Sequence, residues 1–185
     1  LNDLIGRRLP VSKSQGDVFF PSDLETPAAT PRQYRFNQPF GLPVRYHDIA
    51  VFSQVSNLDL VEIHLSYKDL EVNLDEVLME RQSMGLVVHA PELFASDHTL
   101  DLCTDDASYR QHSIAELQRV IDISQDLRNR FACPDPVLLV TNVGGFSEHR
   151  HLDRKDRQPL RERLIESIQQ MNTACLLYTS PSPRD

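Results

Sequence analysis

An α/β fold built on a parallel sheet is predicted for most of this chain, and three observations predict it. Segments with the period of a strand and segments with the period of a helix alternate four times between residues 38 and 174. The first three helical segments each lie between two strand segments, which implies crossover connections and parallel pairing with right-handed crossovers. The strand segments also carry polar residues at or near their carboxyl ends, where parallel sheets place ligands.

The elements follow in order. Leu42 to His47 reads as the first strand, after which Asp48 is positioned to cap a short helix running to about Ser56. Asp59 to Ser66 alternates strictly and forms the second strand, and Leu74, Val77 and Leu78 then recur at helical spacing. Leu86 to His89 is the third strand. A long polar connection follows, and Ile114, Leu117, Ile121 and Leu127 mark the apolar stripe of a long helix ending near Phe131. Pro136 to Asn142 is the fourth strand, broken by Gly144-Gly145, and Leu160, Leu164, Ile168 and Met171 mark a fourth helix. The expected result is four parallel strands in sequence order with helices on one face.

Ahead of this region, residues 1–24 hold short apolar stretches separated by turn residues, which suggests small β elements with Gly16-Asp17 as a turn. Residues 25–37 contain Thr26-Pro27-Ala28-Ala29-Thr30-Pro31 and read as a linker. The last eleven residues, 175–185, can be written in codons that match a transposon mosaic end and library adapter, so they are expected to be a sequencing-adapter artefact with no structural role. Leu1 is not Met, and the first residues enter a pattern already under way, so the chain is expected to be an internal piece of a larger protein.

Composition narrows the function classes. The 185 residues are 40% hydrophobic and 25% charged, in the range of globular proteins. No run approaches the roughly 18 apolar residues of a membrane span, and no signal peptide is visible, so a cytoplasmic location is expected. The net charge of −8 and the lack of a basic stripe with interleaved aromatics weigh against nucleic acid as a partner. Cys103 and Cys133 have no partner at metal-binding spacing and read as reduced structural thiols.

Alternation on the strands assigns side chains to faces. In the second strand Val61, Ile63 and Leu65 point one way, and Glu62, His64 and Ser66 the other. Arg45 and His47 share a face of the first strand, Val140 and Asn142 share a face of the fourth, and the third ends in His89. Glu62-x-His64 offers a carboxylate oxygen and an imidazole that suit Mn²⁺, Zn²⁺, Mg²⁺ or Co²⁺, although two ligands are too few for a complete site. The same pair also suits an oriented general base, or an ion pair of Glu62 with Arg45. Asp97, His98 and Asp101 read as ordinary loop residues, Gly144-Gly145 as a tight turn rather than a phosphate cradle, and Arg150 to Arg163 as a solvated face. Glu148, His149 and His151 include a His-x-His spacing without a second ligand cluster.

Three segments carry a resemblance to a known family: Val61-Glu62-Ile63-His64-Leu65-Ser66-Tyr67-Lys68-Asp69-Leu70, His89-Ala90-Pro91-Glu92-Leu93-Phe94 and Asn142-Val143-Gly144-Gly145-Phe146. They resemble the xylose-isomerase-like, endonuclease-type barrel appended to some sialic-acid-synthase-like proteins. Gly6-Arg7-Arg8-Leu9 and Gly16-Asp17 resemble the tail of the small antifreeze-like (SAF) domain of those proteins. The resemblance implies a SAF remnant over 1–24 and the first half of a (β/α)8 TIM barrel over 38–174. The parent it implies has a synthase barrel that condenses phosphoenolpyruvate with an amino sugar, then the SAF domain, then a sugar-phosphate isomerase or epimerase-like barrel. Glu62, His64 and His89 are the candidate catalytic residues, with Glu62 and His64 as candidate metal ligands. Arg45, His47 and Asn142 are the candidate substrate-binding residues. The implied reaction is aldose–ketose interconversion or epimerisation by proton abstraction beside a carbonyl, with a divalent metal stabilising the enediolate. A non-catalytic sugar-binding or scaffolding barrel is the alternative; a metal-dependent nuclease on the same fold is disfavoured by the acidic balance. The implied partners are a small sugar or sugar phosphate and the synthase domain of the same parent chain, and the piece by itself is expected to be inactive.

Overall fold

The computed structural model describes residues 9, 12–20, 23, 36–132, 136–146 and 152–171, together with the backbone of 175–179. The expected linker lies almost wholly outside the described residues, as do Cys133, Glu148, His149, His151 and most of residues 1–11. The chain divides into two compact units, Leu1–Gln33 and Tyr34–Asp185.

In the first unit the expected turn is present. Asp17 N donates to Ser14 O at 3.1 Å, and Ser14 N donates to Asp17 Oδ2 at 2.7 Å. Lys13 Nζ lies 2.7 Å from Asp23 Oδ2, which also accepts from Phe20 N at 2.8 Å. The Lys13 hydrogen bond, then that of the Phe20 amide, holds the Asp23 carboxyl below its ordinary range. The expected β elements are not strands among the described residues of 12–20. A short hairpin without a third strand has too little to pack against.

The second unit is mixed α/β. Strand β1 (Gly41–Val44) leads to α1 (Ile49–Val55), β2 (Leu60–His64), α2 (Leu74–Val77), β3 (Gly85–His89), α3 (Ala107–Arg128), β4 (Val137–Thr141), α4 (Arg154–Gln170) and β5 (Cys175–Thr179). The five strands form one sheet in strict sequence order, and every neighbouring pair is parallel. His64 stands opposite His89, and His89 opposite Val140. No helix among the described residues is long and apolar enough to cross a membrane.

One face of the sheet is apolar and buried, with Val44, Val61, Ile63, Leu86, Val88, Val137 and Leu139 in the core. The face packs into one cluster with Ile114, Leu117, Val120, Ile121 and Leu127 of α3 and with Phe131 just beyond it. Each fully buried Leu or Ile here contributes about 1.5–3 kcal/mol relative to exposure. Asp106 starts α3 by accepting from Tyr109 N at 3.0 Å, the expected work of an N-cap carboxylate. Alternate residues Glu62, His64, Val87, His89, Leu138 and Val140 occupy the other face and are half-buried.

Three expectations need correction. The first strand ends at Val44 rather than His47, because Tyr46–Asp48 turn into a single 3₁₀ turn. Asp48 is drawn back to accept from Arg45 N at 2.9 Å, so its carboxylate closes that turn and does not cap α1. Residues 175–179, expected to be outside the fold, are strand β5 in register with β4, Val137 opposite Cys175 through Thr141 opposite Thr179. The open edge of β4 offers a row of backbone donors and acceptors, and Leu-Leu-Tyr-Thr suits a strand. Such pairing is tolerant of sequence, so it bears on structure and not on the codon match of this tail.

Candidate functional site

Period-two alternation sends Glu62 and His64 to the same face of β2, and the parallel register sets His89 of β3 directly beside His64. The two imidazoles stack, with centroids 4.4 Å apart and planes 14° from parallel. His64 Nε2 lies 2.9 Å from Glu62 Oε1. A carboxylate only accepts, so this nitrogen carries the proton, and the lone pair of the neutral ring is on Nδ1. His89 Nδ1 lies 2.9 Å from the carbonyl of Ala90, which likewise places a proton on Nδ1 and leaves Nε2 as the basic nitrogen. A ring N–H tied to a backbone carbonyl is the usual way a ligating histidine is held.

One donor atom from each of Glu62, His64 and His89 lies within 4.8 Å of the other two, and all three residues are half-buried. The donor set suits a borderline or hard divalent cation. At metal–ligand bonds of about 2.0–2.2 Å, two donors on one ion stand at most about 4.4 Å apart, so three donors within 4.8 Å of one another lie near the spacing that a shared ion needs.

The remaining candidates make no hydrogen bond or ion pair with this cluster among the described residues. Arg45 pairs through Nη2 with Asp69 Oδ2, an oxygen that also accepts from Ser66 N at 2.6 Å and Ser66 Oγ at 2.7 Å. Arg45 therefore fastens the end of β1 to the turn after β2, and Glu62 has His64 rather than Arg45 as its partner. The His47 side chain is 81% exposed, 3.4 Å from Asp48 Oδ1, since the strand that would have aimed it has already ended. Asn142 follows β4 and is exposed.

Several residues outside the cluster have structural roles. Ser66-x-x-Asp69 is a capping sequence that was available to find the Asp69 anchor. The Tyr46 hydroxyl is buried without a hydrogen-bond partner among the described residues, and burial, then the Asp69 charge, raises its pKa. Burial of the loop residue His98, expected to be solvated, was not legible. It is 7% exposed, with Nε2 3.0 Å from Ser113 Oγ and its ring against Tyr109 and His112. Burial, then the neighbouring His112, lowers its pKa. Asp101 is also structural: Oδ1 accepts from Cys103 N at 2.9 Å and Gly145 N at 3.0 Å. Gly144 and Gly145 both have positive φ, +80° and +82°, the left-handed backbone that glycine adopts without strain. The thiol of Cys103 is buried and raised to about 11, first by desolvation and then by Asp101.

Compared with protein-family models and with curated proteins, the chain matches none, so the chemistry of this edge is read from its geometry.

Proposed function

We propose that residues 38–174 are the leading strand–helix units of a (β/α)8 barrel of the sugar-phosphate isomerase or epimerase type, with Glu62, His64 and His89 holding a divalent cation beside a small sugar substrate. The observation that carries this reading is the meeting of one carboxylate and two imidazoles on one face, at the carboxyl ends of adjacent parallel strands. Strand order supports it too, because a doubly wound sheet reverses direction whereas a barrel runs on in sequence. On the family resemblance, the parent is a sialic-acid (nonulosonate) synthase-like protein with a SAF domain ahead of this barrel, acting in the cytoplasm on sugars.

A bound cation would supply Lewis-acid stabilisation of the oxygen that gains charge as the neighbouring proton leaves. Among the described residues Glu62 makes its hydrogen bond through Oε1, leaving Oε2 to receive that proton. The half-buried setting on a rigid strand limits the rotamers that Glu62 can adopt.

The 2.9 Å Glu62–His64 hydrogen bond favours a second reading, in which the pair works without a cation and Glu62 orients His64 as the base. Titration of the chain with Co²⁺, followed by visible absorption and elemental analysis, separates them. The metal reading expects one ion per chain, weakened by roughly tenfold or more in Glu62→Gln and in His89→Ala. Failure to retain Co²⁺ overturns it. The metal-free reading then requires that turnover by a chain carrying the whole barrel survive EDTA and be lost in His64→Ala.

A further inference from the structure

The connection from β3 to α3 is anchored in the core at two points, Phe94 and Leu100, which are 1% and 2% exposed. Between them Ala95, Ser96 and Asp97 are exposed and Thr99 is half-buried, so His98 alone is buried in this tip. Its carbonyl accepts from Phe94 N at 2.8 Å, and its Nε2 lies 3.0 Å from Ser113 Oγ of α3. Ser113 is wholly buried, and its Oγ also accepts from Asp101 N at 3.0 Å. With that amide on one lone pair, the hydroxyl can give its own proton to a neutral Nε2.

The closed tip carries backbone strain. Ser96 and Asp97 are consecutive non-glycine residues with φ of +59° and +58°, in the left-handed region where a Cβ crowds the carbonyl oxygen. Such strain persists only where surrounding contacts impose it. Among the described residues the tip bonds to α3 through His98 and through Thr99, whose carbonyl accepts from the Tyr109 hydroxyl at 2.8 Å.

A proton on Nε2 breaks the Ser113 contact as it stands, because an imidazolium only donates and the hydroxyl must turn its own proton elsewhere. Burial penalises that cation, and the His112 ring, 4.3 Å away between centroids, opposes it. Glu116 favours it, but its carboxylate is committed to Arg119 Nη1 at 2.9 Å. Tyr109, with its ring 4.5 Å from that of His98, is the third titratable group that α3 turns toward it.

We infer that His98 is a pH-operated latch: as a neutral imidazole it holds the tip 95–99 against α3, and as an imidazolium it leaves Ser113 and lets the tip open beyond the carboxyl end of β3. The opening is local, since Phe94 and Leu100 stay in the core. The tip is fully closed above the ordinary 6.5 and opens as the pH falls through the lower value that His98 has in the closed tip. None of these residues belongs to the Glu62, His64 and His89 cluster, so the latch is independent of the cation reading.

Amide hydrogen exchange followed by NMR on the whole chain at pH 7.5 and 5, corrected for intrinsic rates, tests this. Protection of Phe94, which donates to the His98 carbonyl, is expected to fall at least about tenfold at pH 5. Protection of Ala90, which donates to Val140 O in the sheet at 2.9 Å, should change by less than about twofold. In His98→Gln, whose amide stays neutral, Phe94 should be equally protected at both pH values. In the unsubstituted chain the His98 ring protons and the Phe94 amide should shift with one common midpoint. Equal protection of Phe94 at both pH values, the same fall in His98→Gln, or separate midpoints for ring and amide overturns the latch. An equal fall at Ala90 means global unfolding and overturns it as well.

Discussion

Replacing Gly144 by alanine should unfold this protein far more readily than the same change one residue later. Both glycines have φ near +80°, where an alanine costs about 1–2 kcal/mol. At Gly145 little else is lost, because the nearest side-chain neighbour of an added Cβ is Cys103 Sγ at 3.6 Å, an ordinary contact. At Gly144 the added Cβ would sit 2.4 Å from both Cα and Oδ1 of Asp101. Relief needs a shift of about 1 Å in the 101–103 loop, since carbon atoms pack at about 3.5–4.0 Å. That shift strains the two hydrogen bonds from Asp101 Oδ1 to Cys103 N and Gly145 N. Bonds to a charged acceptor are worth about 1.5–3 kcal/mol each, so partial loss of both adds about 2–4 kcal/mol. Gly144→Ala should therefore be about 2–4 kcal/mol less stable than Gly145→Ala. With a urea slope of about 1–3 kcal/mol/M, the midpoints should differ by about 1 M or more, read by far-UV circular dichroism. Midpoints within about 0.3 M of each other would refute the close approach of Asp101 to Gly144.

Four other outcomes are expected. Leu139→Ala, at a fully buried position, should cost about 2–5 kcal/mol in the same urea assay, whereas Val51→Ala, 60% exposed, should stay within about 0.5 kcal/mol. His98 has a folded pKa below the ordinary 6.5, so the unfolded chain takes up its proton first as pH falls. Its contribution is complete above pH 6.5 and is lost as pH falls through the lower folded value; denaturation midpoints at pH 7.5 and 5 should differ less in His98→Gln than in wild type. For Cys103, raised from 9.0 to about 11, stability is present below pH 9 and lost as pH rises toward 11. In a Cys133→Ser, Cys175→Ser background, its reaction with a disulfide reagent at pH 8 should be slow until urea unfolds the chain. Truncation after residue 174 should cost more than about 1 kcal/mol and increase light scattering on storage, because it exposes the β4 edge that β5 pairs with; unchanged stability and scattering would show that β5 contributes nothing.

The sequence by itself determined the order and type of the main elements, because a two-residue period and a 3.6-residue period leave different marks. Val61, Ile63 and Leu65 against Glu62 and His64 were legible as two faces, and that alternation placed half of the candidate site. The parallel neighbourhood of β2 and β3 also followed, since a helix-period segment between two strands implies a crossover. Only the tertiary structure decided the contacts that depend on register and on turns. His64 meets His89 ring to ring because the two strands align at those residues, a matter of backbone pairing that no single segment encodes. Arg45 was lost to the cluster by one local hydrogen bond from its backbone N–H to Asp48, which ended β1 early, and by its pairing with Asp69, which lies 24 positions further on. His98 looked like a solvated loop residue until Ser113, Tyr109 and His112 of α3 were brought against it. Periodicity reports which side of an element faces the core; it carries no information about which distant loop will lie across that side, and burial of polar loop residues is decided there.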